Sequence, residues 1–373
     1  MRILTLLILA AWVAAFGRLL LNLLLVPRLR VRSPRRTPFV SLIVPARDEE
    51  RTIERAVRAF LGQTYRQLEV IVVNDRSTDH TGQILASIDD PRLVVITGED
   101  PSPGWLGKPW ALAQGSRKAR GELLLFVDAD VVYAPEAVEA AVAQMEESGV
   151  AMLSLFPRFE MHGFWEHVAM PNLSFVAFTI LPLWLGNRTR LPILGAGGGP
   201  GNLVRREVYD QVGGHEALRD AVIDDVALAR LVRRGGHRSE FVRGDDFVSV
   251  RMYHGLREVI EGFTKNSFSA MNRSYVLAIS VALGTAVFHL LPYVWMFTGE
   301  LVSIATVVLI SLVRLILYVA LGYRVDNALF GHPLMMAVWG WITLRSVWYT
   351  GIRRQVRWRG RTYDAKDTRF GAD

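Results

Sequence analysis

Asp128, Ala129 and Asp130 follow directly on the apolar run LLLFV, so two carboxylates one residue apart emerge together from the end of a buried strand. Such a pair can bind one divalent cation that bridges a diphosphate. A solvated turn also tolerates Asp-x-Asp without chemistry, but its place after a buried strand favours the ligand reading. The 373 residues include no cysteine, which excludes disulfides, thiolate nucleophiles and Cys-based zinc sites. A metal here must be held by carboxylates, imidazoles or water, and hard oxygen ligands select Mg2+ or Mn2+.

Three further groupings carry acidic residues at sites of the same kind. In VPARDEERTIERAV a strand ends in Pro45 just before an amphipathic helix, where Arg47, Asp48 and Glu49 could contact a base or ribose. Glu50 reads as ordinary acidity at a helix start, favoured by the dipole. In EVIVVNDRSTDHTGQIL, Asp75 closes a buried strand and faces a ligand, while Asp79 caps the following helix. Downstream, GAGGGPGNLVRREVYDQVGG is a glycine-rich loop whose backbone can approach a phosphate or sugar closely, and AVIDDVALARLVRRGG places Asp224 and Asp225 at a helix start.

The elements that must position these residues follow from periodicity. From Phe39 to about Gly244, short β-rich runs alternate with helical stretches, the pattern of an α/β domain with a largely parallel sheet. VSLIVPA, EVIVVND, RLVVITG and ELLLFVDAD read as strands, with helices over Glu49 to Leu61, Thr81 to Ile88 and Trp110 to Ala119. Ligands bind beyond the carboxyl ends of strands in such sheets, where Asp48, Asp75 and Asp128 all fall.

The chain as a whole is apolar and basic: 51% of its residues are hydrophobic, mean hydropathy is +0.23 and net charge is +7. The basic residues gather beside apolar runs, at Arg28 to Arg36 and Arg353 to Arg361, as cytoplasmic membrane flanks do. No basic-aromatic module for nucleic acid is visible. Ile3 to Val26, interrupted only by Arg18, Asn22 and a few small residues, is long enough to span a hydrocarbon core of about 30 Å. The expected organisation is an N-terminal transmembrane helix at 1–27, the α/β domain at 38–250, an amphipathic interfacial helix at 251–274, transmembrane helices within 275–352 and a basic tail at 353–373. Within 275–352, Tyr275 to Thr298 and Leu301 to Leu321 are each long enough to span, and Pro333 to Ile352 is shorter and carries Arg345. Leu173 to Leu185 is too short to span and reads equally as core or as a shallow membrane dip. The positive flank places the α/β domain in the cytoplasm, on an integral protein of the cell (inner) membrane.

Taken together, Val44-Pro45 with Asp48-Glu49-Glu50, Asn74 to Asp79, Gly107-Lys108 with Ala111-Leu112, and Asp128-Ala129-Asp130 resemble the nucleotide-sugar half of family 2 glycosyltransferases. The resemblance implies a GT-A, Rossmann-like fold and an inverting transfer from a nucleoside diphosphate sugar, UDP being the usual nucleotide. It implies donor contacts from Pro45, Arg47, Glu49, Asp75, Lys108 and Asp128, metal held by Asp128 and Asp130, and a base supplied by Asp225 beside Asp224, since Asp225 and Leu228 keep the family's acidic x-x-Leu spacing. Asn74 and Asp224 stand where many members carry aspartate and glutamate. The layout over nearly the whole chain is similar to membrane enzymes that modify hopanoids, carotenoids or ceramide-type lipids, which implies a lipid acceptor. A processive polysaccharide synthase is the alternative of the same chemistry; Arg354 to Trp358 fits an Arg-x-x-Arg-Trp variant of its signature, so Arg357 and Trp358 could cover the donor. A glycoside hydrolase or a non-catalytic membrane scaffold are the alternatives of other classes.

Overall fold

The computed structural model describes residues 2–353, 355–358 and 361–364. It divides into two compact units, one of Val26–Glu160 with Leu185–Met252 and one of Met1–Leu25, Met161–Trp184 and Tyr253–Lys366. The segment 161–184 therefore leaves the α/β domain, which runs over 38–250 in sequence, and joins the helical unit.

In the first unit the strands are β1 (Val40–Ala46), β2 (Leu68–Asn74), β3 (Leu93–Thr97), β4 (Leu123–Phe126), β5 (Val131–Tyr133), β6 (Met152–Phe156), β7 (Arg158–Phe159), β8 (Asn202–Arg205), β9 (Ser239–Arg243) and β10 (Val248–Val250). Seven form one sheet in the order β3-β2-β1-β4-β8-β6-β9, and β5-β10-β7 form a second. The large sheet is parallel except for β8, which runs antiparallel to both β4 and β6. That reversal matters for the site: it brings the start of β8, and the glycine-rich loop before it, to the rim where β1, β2 and β4 end.

Largely apolar sequence, broken by the buried pair Ser41 and Glu69, builds the central strands. Val40, Leu42, Ile43 and Val44 of β1 and Val70 to Val73 of β2 are fully buried, as strands covered on both faces must be. The helix Gly107–Lys118 lies close on them because Gly115 has no side chain: a Cβ there would stand 2.5 Å from Ile43 Cγ2. Leu124, Phe126, Val204 and Leu228 belong to the core cluster beneath the rim. The strand read as ELLLFVDAD ends at Phe126, so both aspartates lie beyond the ladder.

In the helical unit, three helices among the described residues are long and apolar enough to cross a membrane: Arg2–Leu25, Tyr275–Met296 and Leu301–Ala320. The stretch Pro333 to Ile352 is not among them. The span Tyr275–Met296 carries a π-helical turn at Thr285–Leu290, just before Pro292. Proline removes the hydrogen bond to the carbonyl four residues back, and the freed Phe288 carbonyl accepts instead from Trp12 Nε1 at 2.8 Å. Arg314, fully buried in Leu301–Ala320, donates to the Asn327 and Ala328 carbonyls and to Tyr318 Oη. The expected interfacial helix is Gly255–Ala270. The basic tail contains a hairpin, β11 (Gln355–Trp358) against β12 (Arg361–Asp364). Arg357 and Trp358 lie in it with their side chains outside the described set, as is all of Arg354.

Candidate active site

Two clusters of charge stand on the carboxyl rim of the large sheet, both in the α/β unit. The first gathers where β1 and β2 end. Asp75 is 2% exposed and holds its place through its own backbone N–H, which donates to the Ala46 carbonyl. Arg47 donates to the Asp75 carbonyl at 2.7 Å, and Arg76 Nη2 lies 3.1 Å from Asp75 Oδ1 while also pairing with Asp100. Asp48 and Arg76 have φ of 52° and 53°, a left-handed backbone uncommon in residues other than glycine. The two loops are laced together by reciprocal hydrogen bonds. Asp48 Oδ1 accepts from the Thr78 N–H, the Asp48 N–H donates to Ser77 Oγ, the Glu49 N–H donates to Thr81 Oγ1 and the Glu50 N–H donates to Asp79 Oδ2. Asp79 Oδ1 accepts from the N–H of Thr81, the first residue of the helix Thr81–Ala86, from one position before the N-cap, which is His80 and makes no side-chain cap. Asp48 and Asp79 therefore serve the frame, which fixes Arg47 and Asp75 as a preformed rim.

The second cluster lies across β1 from the first, roughly 10 Å away by strand spacing. Lys108, in the first turn of Gly107–Lys118, places Nζ 2.8 Å from Asp128 Oδ1 and 3.3 Å from Asp224 Oδ1. A lysine opposes the dipole at a helix start, so its presence there depends on the carboxylates around it. Burial disfavours its charge, but Asp128, Asp224 and Asp225 outweigh that and hold its pKa well above the ordinary lysine range. Burial pushes the Asp224 carboxyl up to about 6, with Lys108 pulling it down and Asp225 and Asp128 pushing it further up.

Asp225 opens the helix Asp224–Arg234 and turns Oδ1 onto the Val226 N–H at 2.7 Å. Among the described residues its Oδ2 has no hydrogen-bond partner. Asp128 is anchored through its backbone N–H, which donates to the Gly199 carbonyl at 2.9 Å. A Cβ on Gly199 would stand 1.9 Å from Asp128 Oδ2, so the glycine-rich loop is glycine here to let the carboxylate pass. Asp130, half-buried, immediately precedes β5.

His215 was not singled out by the sequence, where a lone histidine carries no spacing pattern. It is fully buried against the Phe126 ring, with Nδ1 2.8 Å from Tyr209 Oη and Nε2 3.9 Å from Asp224 Oδ2. Burial, helped by Lys108, lowers its pKa to about 3, so it is neutral near Asp224. Asn202 spans the floor, accepting from Ser154 Oγ and facing the Asp225 carbonyl.

The structure thus brings Lys108, Asp128, Asp224 and Asp225 into one cleft, and sets Arg47 and Asp75 farther along the same rim. Pro45, in β1 beside Val73, and Glu49, whose Oε2 accepts from Thr52 Oγ1, frame the first cluster. Among the described residues no three His, Asp or Glu side chains are grouped to hold a metal ion by themselves. Residues 41–213 match the family model for glycosyl transferase family 2. The 4,4'-diaponeurosporenoate glycosyltransferase of Staphylococcus aureus (strain USA300) is 28% identical over 336 residues, covering 87% of this chain and 88% of that protein. The enzyme of that name from Staphylococcus haemolyticus (strain JCSC1435) is 28% identical over 240 residues, covering 62% of this chain and 61% of that protein. A mannosyltransferase from Pyrobaculum calidifontis, solved with GDP-Man and Mn2+, superposes with a TM-score of 0.57 at 20% identity, covering 94% of this chain and 99% of that one.

Proposed function

Because this chain is a family 2 glycosyltransferase with a GT-A-like sheet, we propose that it transfers a sugar, with inversion, from a UDP-sugar to a membrane lipid, using Mg2+ or Mn2+. The observation that carries this reading is the cluster of Lys108, Asp128, Asp224 and Asp225 at the carboxyl rim, with a second charged rim at Arg47 and Asp75. The spacing suits a ligand that has a base at one end and a diphosphate at the other. Asp75 and Arg47 take the nucleoside, and Lys108 lies along the diphosphate.

Asp128 and Asp130 would hold the hard divalent cation, with substrate phosphates and water supplying what the chain does not, since Mg2+ sites commonly use one or two carboxylates plus substrate phosphates. When bound, the cation offsets the charge that gathers on the departing diphosphate. The chain's own residues do the rest. Asp225, oriented by the Val226 N–H, removes the proton from the acceptor hydroxyl through Oδ2 as that oxygen attacks the anomeric carbon opposite the leaving group. Asp224 holds Lys108 in place, and neutral His215 backs Asp224 without adding charge. The acceptor reading rests on the apolar helices and on relatives named for an apolar carotenoid acid. Those relatives favour a second reading, in which an acceptor carboxylate attacks and no proton needs removal.

Nucleotide release tests the proposal directly: a panel of nucleotide sugars is offered in detergent with membrane lipid extract, with and without Mn2+ or Mg2+. The expected result is release from one donor that requires both lipid and metal. Release that continues with neither would be hydrolysis of the donor and not transfer, and no release from any donor would return the scaffold or glycoside hydrolase readings.

Two further outcomes follow from the geometry. Gly199→Ala is expected to displace the Asp128 carboxylate and lower kcat by about 100-fold, the scale of an ångström-sized misplacement, with the far-UV spectrum unchanged; a fully active variant would show that Asp128 need not stand where it does. The acid limb of kcat/KM is expected near pH 6. Below that value Asp224 takes up a proton and Lys108 loses an anionic partner, so activity falls as pH drops; the limb should vanish in Asp224→Asn. His215, lowered to about 3, does not titrate in this window.

A further inference from the structure

Arg18 and Asn22 are the polar interruptions of the C-terminal half of the helix Arg2–Leu25, and the transferase chemistry uses neither. Asn22 is fully buried, and its one amide serves three backbone groups of the helical unit's inserted segment: Nδ2 donates to the Phe178 carbonyl at 2.9 Å and the Leu181 carbonyl at 2.8 Å, and Oδ1 accepts from the Trp184 N–H at 3.1 Å. Arg18, one turn earlier, donates to the Ile180 carbonyl. Phe178, Ile180 and Leu181 are the end of the helix Pro171–Thr179 and the turn after it, where carbonyls lose their intrahelical partners. In water such carbonyls need no side chain. In hydrocarbon they must be satisfied from within the protein, and irregular backbone survives at membrane depth only where that is done.

The hydroxyls of the same segment are also closed off. Thr179 Oγ1 donates to the Phe175 carbonyl, and Ser174 Oγ shares a hydrogen bond with Tyr323 Oη. What the turn leaves outward is apolar: Ile180 and Leu181 are 50% and 42% exposed. Asn22 and Arg18 stand three and seven residues before Leu25, so the turn lies about 5–10 Å in from that end of the span at 1.5 Å per residue. That is the depth at which interfacial helices bury their apolar faces.

We propose that residues 171–184 are a re-entrant membrane wedge, latched to the spanning helix by Arg18 and Asn22, with Ile180 and Leu181 among the lipid acyl chains of the leaflet at that helix's C-terminal end. The occupant of this apolar tip is lipid, by continuity with the apolar span to which its backbone is bonded. The inference rests on Arg2–Leu25 crossing a membrane and not on the transferase reading.

The cysteine-free chain makes the test direct. Ile180→Cys and Leu181→Cys in the full chain, spin-labelled and reconstituted in phosphatidylethanolamine–phosphatidylglycerol vesicles without donor, are compared for oxygen and nickel-chelate collisions. Val13→Cys, in mid-span, gives the lipid value, and Glu147→Cys, an exposed position near the end of the helix Ala137–Ser148, the water value. The expected result is high oxygen and low nickel access at 180 and 181, matching Val13. Access matching Glu147 overturns the wedge. So does low access to both probes that rises on dilution, which would mean a second protein copy covers the tip. In an Asn22→Leu background, which keeps the span apolar but removes three bonds, both labels are expected to shift towards the water value; unchanged readings would overturn the latch. Because no sugar donor is present, failure here leaves the transferase reading standing.

Discussion

Asp225→Asn is expected to lower kcat for transfer to a hydroxyl-bearing lipid by about 10²- to 10⁴-fold, the usual contribution of a positioned general base, while leaving donor affinity within about twofold, as expected for a group that acts only in the transition state. The substitution is chosen because the amide oxygen can still accept the Val226 N–H that Asp225 Oδ1 accepts at 2.7 Å, so the helix start is kept and the proton acceptor alone is lost. Single-turnover nucleotide release gives kcat, and calorimetry with the unreacting nucleotide gives affinity. A variant within about threefold of the parent kcat sinks the assignment, because a base contributing so little is no base. Two other outcomes are informative. If Asp224→Asn is the slower variant, the roles are exchanged, although Asp224 is 6% exposed and engaged by Lys108 at 3.3 Å and so is poorly placed to meet an acceptor. If Asp225→Asn is slow on hydroxyl lipids but fast on a lipid acid, the natural acceptor is a carboxylate, which arrives already ionised.

The parts of this arrangement that could be read from sequence are those in which one buried strand ends in one polar group. β1, β2 and β4 each hold an unbroken apolar stretch, Leu42 to Val44, Val70 to Val73 and Leu123 to Phe126, so their ends, and with them Arg47, Asp75 and Asp128, fall where the pattern puts them. β8 and β9 are short and carry Asn202, Arg205, Glu240 and Arg243. Their burial comes from neighbouring strands and not from their own composition, so periodicity is silent about them, and with them about the antiparallel turn of the sheet. The same limit hides the ion cluster. Asp224 and Asp225 look like ordinary acidity at a helix start; only the position of Lys108, more than a hundred residues earlier, makes them a site. His215 is hidden for the opposite reason, since a lone histidine has no spacing to read. The segment 161–184 shows how local hydropathy fails across units: the thirteen-residue, mostly apolar stretch Leu173 to Leu185 fits core and membrane equally, and its bonds to Asn22, far away in sequence, are invisible to a local pattern.

Removing divalent metal is expected to abolish transfer, by at least about 10³-fold, since stabilising the charge on a leaving diphosphate contributes several kcal/mol. The geometry adds a more specific expectation. Among the described residues no three His, Asp or Glu side chains are grouped to hold a metal ion, so the chain alone is a poor cage, and the cation's shell must be completed by the nucleotide's phosphates. Mn2+ is therefore expected to bind the free protein weakly and to bind about 100-fold more tightly when UDP is present. Linkage then requires UDP to gain the same factor from Mn2+, so the two titrations check one another. Lys108 sharpens the point, because its Nζ already sits 2.8 Å from Asp128 Oδ1 and competes with a cation for that oxygen until a diphosphate draws the ammonium away. In Asp128→Asn and Asp130→Ala the coupling factor should fall towards one, and with it the activity, while UDP binding without metal stays at the parent level. Transfer that persists in EDTA, or UDP affinity indifferent to Mn2+ in the parent, would mean that Lys108 alone carries the diphosphate, and that the Asp128 carboxylate serves to hold the lysine rather than a metal.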